Sequence, residues 1–75
     1  MKELIEVIAK ALVEHPEEVE VVEKENGHTL VLELHVAPSD MGKVIGKGGR
    51  IAKSIRSVVK AAATKTDKKV IVDIL

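Results

Sequence analysis

An α+β fold, with a three-stranded mixed sheet carrying three helices on one face, follows from three observations. The chain opens on an apolar pattern of helical period. Two segments of strand character meet at Asn26-Gly27. About 30 residues of mostly helical character then separate the second strand from a β-branched C-terminus, and a crossover of that kind is what a parallel pairing needs.

The elements follow in order. Residues 2–14 place Glu3, Glu6, Lys10 and Glu14 on one helical stripe among apolar neighbours, with Glu6 and Lys10 paired at i,i+4. His15-Pro16 ends the helix, because a residue before proline avoids the α region. Residues 19–25 and 28–36 flank Asn26-Gly27, which predicts a type I′ hairpin. Leu30, Leu32, Leu34 and Val36 alternate with Val31, Glu33 and His35, so one face of the second strand is core. Pro38 ends that strand, and Ser39 or Asp40 is placed to cap a short helix over residues 40–45. Glycines interrupt at 46–49. A longer helix over residues 49–64 is expected to bury Ile51, Ile55, Val58, Val59 and Ala62. A turn at Thr66-Asp67-Lys68 leads to a last strand at residues 70–75, giving the order α-β-β-α-α-β.

At 75 residues the chain is expected to form a single domain, 1–75, with a thin core. It has no cysteine, which removes disulfides and thiolate chemistry and fits a reducing, cytoplasmic setting. No apolar run approaches a membrane span and no signal peptide is evident, so no membrane partner is expected. The formal net charge of zero conceals a split. Residues 1–36 hold three lysines against nine glutamates, a net of −6, and residues 37–75 hold nine Lys and Arg against three aspartates, a net of +6. A polarised protein of this kind can present a basic face at near-neutral pI. The chain also has no Phe, Tyr or Trp, which excludes nucleic-acid binding on aromatic platforms.

The densest signal is DMGKVIGKGGRIAKSIRSV, residues 40–58. Gly46-Lys47-Gly48-Gly49 lies between two helices rather than after a strand, and Ile51 occupies the place of the third glycine of a dinucleotide fingerprint. No Walker-type phosphate loop is present either. A bare helix–loop–helix junction with Lys43, Lys47, Arg50 and Lys53 around it suits a phosphate backbone, since helix N-termini favour anions and glycine allows close approach.

Val44 to Ile55, VIGKGGRIAKSI, resembles the I-G-x-x-G-x-x-I core of a KH (K-homology) RNA-binding domain. The element order resembles the type II arrangement, and a free-standing domain of this length is similar to the small bacterial KhpA family. The resemblance implies that the GXXG loop, Gly46, Lys47, Gly48 and Gly49, clamps the backbone of single-stranded RNA. It implies that Gly46 and Gly49 set the loop and that Lys47 meets phosphate, flanked by Lys43, Arg50 and Lys53. Ile45 and Ile51, with Val36 beside them, are implied as groove floor. With glycine at 48, side-chain contact from the loop rests on Lys47. The resemblance further implies a homodimer, or a heterodimer with a larger KH-containing partner of the KhpB or Jag type, and a chaperone-like or regulatory use of RNA. An assembly subunit that mainly binds protein, and a single-stranded DNA binder, stay open beside it.

No enzyme, metal or cofactor is expected. His15, His28 and His35 lack paired ligand spacing, and Ser39, Ser54 and Ser57 lack a nucleophile elbow and a base. The apolar excess at Val58, Val59 and Ala61 to Ala63 predicts a self-association surface on the third helix, with the first helix as the competing surface.

Overall fold

A computed structural model describes all residues, 1–75. Helix α1 spans Lys2–Leu12, strands β1 and β2 span Glu20–Asn26 and Thr29–His35, helices α2 and α3 span Met41–Ile45 and Arg50–Ala62, and strand β3 spans Lys69–Ile74. Single 3₁₀ turns occupy Pro16–Glu18, Pro38–Asp40, Lys47–Gly49 and Ala63–Lys65. The sheet order is β1-β2-β3, antiparallel between β1 and β2 and parallel between β2 and β3. This is the α-β-β-α-α-β order and the mixed three-stranded sheet expected from the sequence.

The alternation in β2 holds: Leu30, Leu32 and Leu34 are buried, and Val31, Glu33 and His35 are not. Val21 and Val72 flank this row from the neighbouring strands, while Ile5 and Ala9 of α1 and Val44 of α2 join it from the helical layer. The Glu6–Lys10 ion pair forms on the outer side of α1 at 3.9 Å.

Four local expectations change. Helix α1 ends at Leu12 rather than residue 14, because the backbone N–H groups of Glu14 and His15 donate to the Asp40 carboxylate instead of continuing the helix. The hairpin pairs Asn26 with Thr29, so its two central residues are Gly27 and His28. Only Gly27 has positive φ, at 63°, which is the pattern of a type II′ turn and not type I′. The short helix begins at Met41, and neither Ser39 nor Asp40 caps it through a side chain. The buried stripe of α3 is Ala52, Ile55 and Val59, continued by Ala63, whereas Val58 and Ala62 are exposed and Ile51 is half-buried. Val58 stands instead on the α1 side of the helix, where it lines a groove with Ile8 and Leu12.

Candidate nucleic-acid interface

The glycine loop is a single tight 3₁₀ turn between α2 and α3. Gly46 N–H donates to Gly42 O at 2.8 Å, and Gly49 N–H donates to Gly46 O at 3.2 Å. Gly46 has φ 75° and ψ 175°, a region that essentially only glycine occupies. A Cβ there would also stand 2.6 Å from Cγ1 of Ile51, so residue 46 is excluded from carrying a side chain twice over. Gly48, at φ 65° and ψ 18°, faces open space. No side chain caps the start of α3. The loop is therefore held by Gly46 against Ile51, and its tip is open.

The four candidate cations divide. Lys47, Arg50 and Lys53 are exposed and make no ion pair, so they crowd the loop and the first turn of α3 as unengaged positive charge. Lys43 is engaged: its Nζ lies 3.5 Å from Glu14 Oε1 and 3.6 Å from Asp40 Oδ1. Ile45 is exposed at the end of α2 beside the loop. Ile51 props the loop from beneath and lines a groove between α1 and α3. Val36 is partly buried against the core.

Asp40, a cap candidate by its sequence position, has a larger structural role. It is 1% exposed, and its two carboxylate oxygens accept the N–H groups of Glu14 at 3.1 Å and His15 at 3.0 Å. This joins the end of α1 to the entrance of α2 across 25 residues of sequence and fixes the platform on which the glycine loop stands. Burial works to raise the Asp40 carboxyl, but those two N–H groups, with attraction from His15 and Lys43, outweigh it and hold the group below its ordinary value. An aspartate before a short helix carries no local signal of such a distant partner.

A second groove, of about 490 Å³, lies between the C-terminal half of α3 and β3. Arg56, Lys60, Lys68 and Lys69 surround it, and Val70 and Val72 form part of its apolar wall. Arg56 and Lys60 continue the Lys53 side of α3 at spacings of three and four. β3 becomes the neighbour of Arg56 and Lys60 only through the crossover, so the local sequence pattern carries no signal of this groove.

The fold and its glycine junction define a KH-type module. The family model for the KH domain of KhpA/KhpB matches residues 2–74, and the chain belongs to that family. It is 63% identical to the RNA-binding protein KhpA of Clostridium perfringens, over all of both chains. It is 60% identical to the proteins of that name from Clostridium acetobutylicum, over all of both chains, and Halalkalibacterium halodurans, over all of this chain and 99% of the relative.

Proposed function

We propose that this protein binds single-stranded RNA through the Gly46–Gly49 loop, tolerantly of sequence, in a chaperone-like or regulatory role in the cytoplasm. The observation that carries the reading is the open loop tip beside the unengaged cations Lys47, Arg50 and Lys53. Phosphates at the loop are met by Lys47 and Arg50, and the open site at Gly48 lets a backbone approach without a side chain in the way. From the loop the strand continues along Lys53 toward the α3–β3 groove, whose apolar wall faces the bases. The names of the relatives, all RNA-binding proteins rather than enzymes, support this reading.

A second activity, self-association, is favoured by one observation. Val58 is 46% exposed beside Ile8, Leu12, Ile51 and Ile55 in the groove between α1 and α3. A second copy, or the KH domain of a larger KhpB-type partner, would cover this groove and leave the loop free. Ala61 and Ala62 are exposed and small enough for close approach, while Ala63 is buried and belongs to the core.

Titration of a short RNA and of DNA of the same sequence against salt tests the reading. Three contacts, from Lys47, Arg50 and Lys53, give log K against log salt a slope of about −2, and release of Lys43 from Glu14 and Asp40 brings it to about −3. Tighter binding of DNA than RNA reassigns the ligand, and a slope near zero leaves protein assembly as the main role.

A further inference from the structure

One ammonium group beside the loop is tied to a helix on the other side of the junction. Lys43 lies in the last turn of α2, and its Nζ stands 3.5 Å from Glu14 Oε1 and 3.6 Å from Asp40 Oδ1. The two carboxylates are held very differently. Asp40 is 1% exposed, and its oxygens accept the backbone N–H groups of Glu14 at 3.1 Å and His15 at 3.0 Å, so it is fixed in place. The Glu14 side chain is 72% exposed and pairs with no other cation. Residue 14 is thus fastened to the α2 entrance twice, by its N–H to Asp40 and by its carboxylate to Lys43.

A glutamate carboxylate and a phosphodiester each present one negative charge through oxygen acceptors. A lysine ammonium is a point charge on a flexible stem, and its rotating donors suit either. The Lys43 side chain is 42% exposed, so it is able to turn from α1 toward the loop that begins at Gly46. An exposed ion pair is worth little against water, so the exchange of Glu14 for a phosphate is close to balanced. We infer that Lys43 is a switch between α1 and RNA: in the free protein the Glu14 carboxylate occupies the place of a phosphate on Lys43, and RNA at the glycine loop takes the lysine over and loosens the end of α1. The inference rests on the RNA-binding reading and adds to it an internal competitor that regulates it. The coupling runs both ways. The Lys43–Glu14 pair exists only while the end of α1 stays closed, so RNA that holds Lys43 lets that end open more readily, and Glu14 in turn weakens RNA.

The first test is a double-mutant cycle. Wild type, Glu14→Gln, Lys43→Gln and the double variant are titrated with a short RNA of mixed sequence in one buffer. Glu17→Gln serves as the control, because Glu17 is an exposed carboxylate paired with His15 rather than with Lys43. Glu14→Gln is expected to bind RNA roughly two- to fivefold tighter, the factor an exposed ion pair supports, and to bring no gain where Lys43 is already glutamine. No gain at all overturns the switch. A gain matched by Glu17→Gln, or one that persists beside Lys43→Gln, is general repulsion and overturns it too. The second test is amide hydrogen exchange at Glu14 and His15, followed by NMR in wild-type protein with and without saturating RNA. These amides are expected to exchange roughly two- to fivefold faster with RNA bound, where a ligand that merely stabilised the fold would slow them. Unchanged or slower exchange overturns the switch. Should Lys43→Gln melt by circular dichroism, the exchange result on the wild type decides alone. Wild-type protein that binds no RNA refutes the RNA-binding reading itself, whereas binding without these signatures refutes only the switch.

Discussion

The flank of α3 that faces β3 carries Arg56 and Lys60, with Lys53 one step before them, whereas the flank that faces α1 carries Ile51 and Val58. Both flanks leave from the same glycine junction, and the buried stripe Ala52, Ile55 and Val59 runs between them against the core. One helix of 13 residues thus serves two surfaces of opposite chemistry. The difference between them is a difference of mechanism. Charge on the β3 side acts over several ångströms and weakens with salt, while apolar area on the α1 side acts only in contact and does not. Two copies joined along the α1 side would keep both cationic flanks at the rim.

The largest effect is expected at the loop. Lys47→Asp with Gly48→Asp places two anions where phosphate is expected, and like charges across such a contact cost several kcal/mol by order of magnitude. RNA affinity should fall by more than about a hundredfold, and sedimentation should be unchanged. The fold should survive, because position 48 opens on solvent and aspartate tolerates its left-handed backbone better than most residues. Retained binding in a gel shift would refute the loop assignment.

On the other flank, Val58→Asp should yield a folded monomer with unaltered RNA affinity. An unchanged dimer by sedimentation would move the interface elsewhere. If both RNA binding and association fail together in this variant, the two surfaces are not separate.

Gly46→Ala probes the junction from which both flanks start. The forbidden backbone region and the 2.6 Å encounter with Ile51 together should cost at least about 2 kcal/mol, lowering Tm by roughly 10 °C in a domain of this size. Gly48→Ala meets open space, so its loss should be clearly smaller, and equal losses would show that the Ile51 contact contributes nothing.

Asp40 makes stability depend on pH. A carboxyl held below its unfolded value contributes stability above that value and loses it as pH falls through the folded one. Thermal melts of the wild type should therefore weaken on acidification below about pH 4, the unfolded range of aspartate. Asp40→Asn should melt lower at neutral pH and show less of this acid limb. An acid limb identical in both would show that the Asp40 carboxylate does not carry it.

The smallest effect concerns a single phosphate. Arg50→Ala should flatten the salt slope by about 0.7. Glu14→Gln, by loosening the hold on Lys43, should steepen it by no more than that.

The element order was legible because its signals are local: the three- and four-residue spacing of α1, the alternation of β2, the proline at 38 and the glycines at 46–49. The loop was legible for the same reason. The turn type at Gly27-His28 was not, since it depends on which residues the two strands choose as their last pair. Along the chain Lys43 is a flanking cation like Arg50 and Lys53, and it differs from them because α1 brings Glu14 to it.

Backbone preference and neighbours within a turn or two are enough to set the fold class, the element order, the glycine junction and the basic character of the second half. The tertiary structure decided which side of α3 is buried, that Asp40 ties α1 to α2, and that Arg56 lies on the edge of β3. Those contacts join residues 16 to 26 positions apart, and no local preference encodes a partner that only the closed core brings within hydrogen-bonding distance.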